Sequence, residues 1–299
     1  MTAGTVTSEV FTAAITLKPT APQHFNLAFT AVTQPCPWPK AYGGDLVAAA
    51  AAAAMRSVTD GKTLHSMHSY FLRPADIGAE VRYEVEVLRD GRGYSTRQVR
   101  GYQNGKPLYA CLANFAAGEP GGSFQAPFDA VADPESLPST AGYLDGRDGG
   151  TMTAESKAYW AGGRSFDMRH VPGPVYLAVD GEKVPHQAVW IKPFDPLRPV
   201  DGLTDAQRDL AALAYVCDYT ILEPVLRVLD LPWARPGLVT ASLDHAMWFH
   251  RTGPVGDWLL YVQDAVAADA GRGLGHGRFF TREGVHLATV AQEGMIRAS

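Results

Sequence analysis

The stretch YGGDLVAAAAAAAM, residues 42–55, places seven consecutive alanines shortly after a pair of glycines. Alanine has the highest helix propensity, so the run predicts a helix over residues 44–58. A run of methyl side chains indicates that a curved sheet packs around this helix too closely for leucine to fit. Gly43 and Gly44 would let another group approach the first turn, where backbone N–H groups lack intrahelical partners. A simple tight turn is the alternative interpretation of this pair.

Two strand-rich segments follow a helical segment each. In residues 64–115, the alternation of VRYEVEV and STRQVRGY and the Asn-Gly turn at 104–105 predict three to five antiparallel strands. The second segment, residues 242–295, matches the first when Phe71 is placed opposite Phe249. An internal duplication is therefore predicted, in which each copy is a helix followed by an antiparallel sheet.

The region between the copies is rich in Gly, Pro, Ser and Asp, a composition typical of linkers. We therefore predict an N-terminal domain over residues 1–118, a linker over 119–165 and a C-terminal domain over 166–299. The helix of the second copy is expected over residues 204–229, where a Thr-x-x-Gln capping box marks its start.

Composition excludes several classes of protein. The 299 residues carry a net charge of −5 with 19% charged residues, and no basic cluster favours nucleic acid as a partner. Three scattered cysteines are typical of a reducing compartment. The N-terminus lacks a signal-peptide pattern, and the strongly apolar run 46–55 is about half the length that a membrane span needs. We expect a cytoplasmic protein with no membrane partner.

Polar residues of the second copy replace apolar residues of the first. Ser242 aligns with Leu64 and Gln292 with Ala113, while Asp218 stands in an otherwise apolar, helical stretch. Buried polar groups are costly unless partnered, so such changes need a reason. Together these three side chains could hold a water for attack on an acyl carbon. A buried polar network that specifies the core is the alternative, and it is the commoner one in general.

Other chemistries fit the sequence poorly. Ser242, Asp244 and His245 are the residue types of a serine-hydrolase triad, but on a strand His245 points away from the other two and no GxSxG motif occurs. Neither HExxH nor a Cys/His cluster is present, so no metal is expected. The run GRGLGHG, residues 271–277, leads towards a strand, which favours a glycine-rich bend over a nucleotide loop.

Six segments carry the most specific patterns: YGGDLVAAAAAAA, LHSMHSYFLRPAD, VEVLRDGRGYSTRQVRGYQNGKPLYACLANF, ALAYVCDYTIL, ASLDHAMWFHR and ATVAQEGMIR. They closely resemble the acyl-CoA thioesterase II family over most of the chain, apart from the N-terminal dozen residues and the linker. The resemblance implies an α+β fold of two fused hotdog domains, each a long antiparallel sheet wrapped around a central helix. It also implies hydrolysis of acyl-CoA to free acid and CoA, with no metal, cofactor or covalent intermediate.

The resemblance also implies residue roles. Asp218 corresponds to the family's catalytic aspartate and Gln292 to its glutamine, whereas Ser242 stands where the family has threonine. Asp45 stands where the family commonly has glutamine, which puts a negative charge on the first helical turn. Because the three catalytic types occur only in the second copy, one working site per chain is expected.

Substrate contacts are expected around that site. Backbone N–H groups at the Gly-Gly pair, or at the helix near Asp218, would polarise the thioester carbonyl. His68 is a further substrate-binding candidate near the helix, and Trp248 with Met247 is expected to line an apolar tunnel for the acyl chain. The candidates for binding CoA phosphates are Arg73, Arg92, Arg97 and Arg251.

Two alternative functions remain open at the level of sequence. One is a non-catalytic acyl-CoA-binding protein, because Ser242 and Asp45 depart from the family pattern. The other is a different hotdog enzyme, such as an acyl-CoA hydratase. Acyl-CoA is the expected partner in each case, and a homo-oligomer, a dimer or larger, is expected because hotdog sheets tend to pair further.

Overall fold

The computed structural model describes residues 8–128, 131–147, 150 and 152–298. Its helices are α1 (Glu9–Ala14), α2 (Gly43–Arg56), α3 (Thr140–Leu144), α4 (Ala154–Ala158), α5 (Asp205–Val216) and α6 (Glu223–Val228). Its strands are β1 (Lys18–Thr20), β2 (Leu27–Val32), β3 (Thr63–Phe71), β4 (Glu80–Asp90), β5 (Tyr94–Gln103), β6 (Lys106–Ala116), β7 (Phe166–Val171), β8 (His186–Pro193), β9 (Val239–Ser242), β10 (Asp244–Phe249), β11 (Leu259–Asp269), β12 (Arg272–Thr281) and β13 (His286–Arg297).

One continuous antiparallel sheet contains both halves of the chain. Its strand order is β1-β2-β4-β5-β6-β3-β10-β13-β12-β11-β8-β7, and β9 pairs with β13 off this path. The strand order of the first half mirrors that of the second. The two halves meet where β3 pairs with β10, and Met67 lies opposite Met247 there. This topology agrees with the predicted duplication. The hairpin between β5 and β6 turns at Asn104 and Gly105, as predicted.

The alanine-rich helix lies in the core of the first half. Every residue of α2 from Gly44 to Met55 is buried, and the seven alanines are at most 1% exposed. Strands of the same half surround α2, and α5 of the second half packs against it. Tyr42, just before α2, donates a hydrogen bond to the carbonyl of Tyr215 in α5 at 2.6 Å. Methyl side chains therefore permit the close packing that the sequence predicts.

The second helix is interrupted, which differs from the continuous helix predicted over residues 204–229. It begins as predicted, with Thr204 and Gln207 forming a capping box, but α5 ends at Val216. Residues 217–222 form turns before α6 begins. Pro224 stands in the first turn of α6, where its missing N–H is tolerated, whereas in a continuous helix it would clash with the carbonyl four residues earlier. Asp218 therefore lies in a turn and not inside a helix.

The glycine-rich run 271–277 is also different from the bend that was predicted, because most of it belongs to β12. Gly273, Gly275 and Gly277 alternate towards the core. A Cβ atom at Gly275 would overlap the carbonyl oxygen of Ile221, in the turn that follows α5. Glycine at this position lets residues 217–222 lie directly on the sheet.

The segment predicted as a linker contains short helices and aromatic packing. Besides α3 and α4 it includes a π-helical turn, Tyr159–Gly163. Trp160 from this turn packs against Tyr176 and Trp233 of the second half, with ring centroids 4.7 and 6.0 Å apart. None of the helices in the described part of the chain combines the length and apolar character of a membrane span.

Candidate active site

Asp218, Ser242 and Gln292 are in direct contact. The Ser242 hydroxyl donates to Asp218 Oδ1 at 2.8 Å, and Gln292 Nε2 donates to the same oxygen at 2.5 Å. Gln292 Nε2 also lies 3.0 Å from Ser242 Oγ, so the three groups form a closed triangle. They come from the turn after α5, the end of β9 and the middle of β13.

The position of this triangle follows from strand register. Ser242 pairs with Gly294 and Gln292 pairs with Gly275, so the two polar side chains stand two residues apart along β13 on one face. The turn that carries Asp218 lies on that face because Gly275 leaves space for it. Glycine in β12 is therefore one of the reasons that Asp218 reaches Ser242 and Gln292.

Burial raises the pKa of Asp218 above its ordinary value, although three hydrogen bonds act in the opposite direction. Those bonds come from Gln292, Ser242 and the backbone N–H of Gly44 at the start of α2. The carboxylate of the second half therefore sits at the N-terminus of the helix of the first half. A buried carboxylate with a raised pKa that keeps accepting hydrogen bonds is suited to accept a proton from a neighbouring water.

The Gly-Gly pair is required for close approach. A Cβ atom at Gly43 would lie 2.6 Å from Asp218 Oδ2. At Gly44 it would overlap both the ring of Tyr42 and the carbonyl oxygen of Tyr215. Another group does approach the first turn of α2, as expected, but the group that Gly44 binds is the Asp218 carboxylate.

A cavity of about 850 Å³ opens at this site. Gly43, Asp218 and Ser242 line it, whereas Gln292 lies behind them and is only 1% exposed. Much of the wall is apolar and is contributed by both halves and by the segment between them: Trp38, Tyr42, Leu46, Phe71, Leu72, Met152, Trp160, Tyr219, Leu222, Trp233, Leu238 and Leu243. A cavity of this size with a largely apolar wall can hold an extended apolar ligand.

Sequence reasoning missed this aromatic wall. Tyr219 directly follows Asp218, and its ring stacks on that of Tyr42 with centroids 4.1 Å apart. Tyr219 follows Asp218 and Tyr42 precedes the Gly-Gly pair, so the sequence could have indicated that both rings lie at the site. Trp160, in contrast, comes from the segment taken as a linker, and no periodicity indicated its place.

His68 and Trp248 are not brought to the site. They contact each other on the outer face of the sheet, with ring centroids 5.2 Å apart, and both are exposed. Met247 points the opposite way and is fully buried, because successive residues of a strand face opposite sides. Neither Trp248 nor Met247 lines the cavity, so the structure does not bring these two residues to the candidate site.

The four candidate arginines differ in their surroundings. Arg73 lines the cavity. Arg97 is buried and bonded to Asp90 and Ser57, and Arg251 donates to the carbonyl of His286. Arg92 is exposed and is not part of the cavity wall. Two further cations that line the cavity, Lys40 and Arg235, were not singled out from the sequence.

Comparison with known proteins places the chain in a family. Residues 34–116 match the family model described as the acyl-CoA thioesterase N-terminal domain, and residues 117–296 match the acyl-CoA thioesterase C-terminal domain. Human acyl-coenzyme A thioesterase 8 is 33% identical over 270 residues, which cover 87% of this chain and 82% of the human one. Acyl-CoA thioesterase 2 of Haemophilus influenzae is 30% identical over 279 residues, covering 92% and 93% of the two chains.

Solved structures agree with this placement. An acyl-CoA thioesterase II from Mycobacterium marinum superposes with a TM-score of 0.74 at 29% identity, covering 98% of both chains. A protein from Alicyclobacillus acidocaldarius described as having a hot dog fold shares the fold at 19% identity, with a TM-score of 0.72 over 97% of this chain and 98% of that one. The chain therefore belongs to the acyl-CoA thioesterase family and is built as a double hotdog.

Proposed function

We propose that this protein hydrolyses acyl-CoA thioesters to a free carboxylic acid and CoA, using a water molecule activated by Asp218. The observation that carries the proposal is the contact of Asp218 with Ser242 and Gln292 at the wall of an apolar cavity. Membership of the acyl-CoA thioesterase family supports the substrate class.

Each of the three side chains has a distinct role in this proposal. Asp218 is the general base and accepts a proton from the attacking water. Ser242 faces the cavity and hydrogen-bonds the water while it donates to the carboxylate. Gln292 is behind both groups and acts through them, because its amide fixes the positions of the carboxylate and the hydroxyl.

The reaction then needs no further acid group. The water oxygen forms a bond to the thioester carbonyl carbon as its proton passes to Asp218. The carbon–sulfur bond breaks and the electron pair leaves with the CoA sulfur. The thiolate is a stable leaving group, and the proton on Asp218 returns to the thiolate or to solvent, which restores the base.

The cavity supports a placement for the two ends of the substrate. The acyl chain lies among the aromatic side chains, next to Tyr219 and Trp160. Lys40, Arg73 and Arg235 line the same cavity and provide positive charge for CoA phosphates. Among them, Lys40 already forms an ion pair with Asp76 at 2.6 Å.

Thiol release from acetyl-, hexanoyl-, palmitoyl- and branched acyl-CoA tests this function. We expect turnover on at least one of these substrates, with one free acid formed per thiol. An acyl-CoA that binds and is recovered intact would contradict hydrolysis and favour the binding-protein alternative. Addition of water to a 2-enoyl-CoA without thiol release would favour the hydratase alternative.

Location and assembly are part of the same proposal. We place the protein in the cytoplasm as a homo-oligomer, without a nucleic acid or membrane partner. Sedimentation at micromolar concentration measures the assembly directly, and a monomer at that concentration would contradict it.

A further inference from the structure

Asp45, on the first turn of α2, is a buried carboxyl that the mechanism above does not use. Its side chain is only 2% exposed. Oδ2 accepts a hydrogen bond from the backbone N–H of Gln34 at 2.7 Å, whereas Oδ1 has no hydrogen-bond partner among the described residues. An ionised carboxylate in such a place would be poorly solvated.

The groups around Asp45 do not offset a negative charge. The titratable neighbours that interact electrostatically with it come from five elements of the structure: Cys36 before α2, Tyr83 on β4, Tyr159 in the π-helical turn, Tyr215 on α5 and Asp218 after α5. Burial raises the pKa of the thiol and of all three phenols, so these four groups are neutral at ordinary pH. The remaining neighbour, Asp218, is an acid.

The two carboxyl groups are linked through the start of α2. Gly44, the residue before Asp45, donates its backbone N–H to Asp218. Burial raises the pKa of Asp45 to about 7, and the negative charge of Asp218 contributes to the shift, while the Gln34 N–H opposes it. Below about pH 7 Asp45 is therefore mostly protonated, which leaves the backbone N–H donor at the helix terminus to the Asp218 carboxylate.

We propose that Asp45 is a positioning residue for the hydrolytic reaction and supports catalysis only in its protonated, uncharged form. This proposal rests on the function proposed above. Neutral Asp45 leaves the positive end of α2 to the Asp218 carboxylate and to the negative charge that develops on the thioester carbonyl oxygen. Ionised Asp45 adds a second negative charge beside them, which opposes the transition state.

The test is the pH profile of kcat for the full-length wild type and for Asp45→Asn, from pH 5 to pH 9. For the wild type we expect a loss on the alkaline side above about pH 7, approaching tenfold per pH unit as the protonated fraction falls. For Asp45→Asn we expect the alkaline loss to disappear, so that the variant exceeds the wild type by about tenfold at pH 8 and equals it within a few-fold at pH 6.

Two further variants keep the test decisive. Asp45→Gln is a second neutral replacement in case asparagine impairs folding, which thermal unfolding monitors. Asp209→Asn is the control, because burial also raises the pKa of Asp209, but that residue is paired with Arg208 away from the site. Superimposable wild-type and Asp45→Asn profiles would overturn the proposal, as would an equal loss at every pH. Absence of wild-type turnover at pH 6 would instead contradict the proposed function.

Discussion

The hydroxyl of Ser242 connects the Asp218 carboxylate to the cavity. A threonine here would carry the same hydroxyl together with a methyl group that restrains its rotamer, and serine lacks that methyl group. In this structure the hydrogen bonds to Asp218 and from Gln292 provide a restraint in its place. Activity should therefore depend on the hydroxyl and not on the missing methyl group.

Replacing Ser242 tests that statement. We expect Ser242→Ala to lower kcat by about 10- to 1,000-fold, and Ser242→Thr to stay within a few-fold of the wild type. In the wild type the Ser242 hydrogen bond lowers the pKa of Asp218, so its removal should raise that pKa. The acid limb of the alanine variant's pH profile should therefore lie at a higher pH. Thr240→Ala, which removes another hydroxyl from the cavity wall, is the control. An acid limb that stays in place in Ser242→Ala would contradict this account.

At the scale of elements, the break between α5 and α6 creates the site. In a continuous helix, Asp218 would be one more residue along the helix. The break instead lets the turn that carries Asp218 lie against β12, so that its carboxylate faces Ser242. Pro224 fits the first turn of a new helix but not the middle of a continuous one, and Gly275 gives the turn its space on the sheet. Both residues can be read in the sequence, but their combined effect depends on how the turn packs.

Gly275→Ala is expected to disturb stability and activity together. Its methyl group would overlap the backbone carbonyl of Ile221, and overpacking of this kind costs about 1–3 kcal/mol of unfolding free energy. Because Ile221 lies in the turn that carries Asp218, kcat should fall as well. Urea unfolding and thiol release measure the two effects. Gly256→Ala is the matched control, since a Cβ atom there meets no neighbour within 4 Å. Equal stability of the two variants would be incompatible with the packing described.

Several of these structural features can be predicted from the sequence, and others cannot. The alanine run predicted α2 and its burial, since seven methyl groups fit only a tightly wrapped helix. Polar replacements in the second copy predicted that Asp218, Ser242 and Gln292 would converge. The aromatic wall and the outward position of Trp248 were not predicted, because strand alternation alone does not tell which face of β10 meets the helix.

Asp45 shows a second limit of sequence reasoning. A carboxyl on the first turn of a helix is expected to be a solvated charge that stabilises the helix. Here α5 and the sheet bury that turn, so the carboxyl becomes a costly charge. Long-range packing between the two halves decides this outcome, and residues close to Asp45 in sequence do not reveal it.

At the scale of the whole molecule, the two halves are similar, but only the second contains the cluster of Asp218, Ser242 and Gln292. In the first half Leu64 and Ala113 occupy the positions that correspond to Ser242 and Gln292, and both are buried. We therefore expect one molecule of a non-hydrolysable thioether analogue of acyl-CoA to bind per chain in isothermal titration calorimetry. Two equivalent sites per chain would contradict this expectation.

The two halves are joined in the site itself. Gly44 of the first half hydrogen-bonds Asp218 of the second, and Tyr42 stacks on Tyr219 across the same contact. The first half thus contributes the helix N-terminus, and the second half contributes Asp218, the proposed base.

The most direct test of the central claim is the kcat of Asp218→Asn on the best acyl-CoA substrate, measured beside acyl-CoA binding by the same variant. Asparagine keeps the size of the side chain but cannot accept the proton. We expect kcat to fall by about 100- to 10,000-fold while binding changes by only a few-fold. Wild-type turnover in the asparagine variant would show that another group activates the water, and would contradict the account.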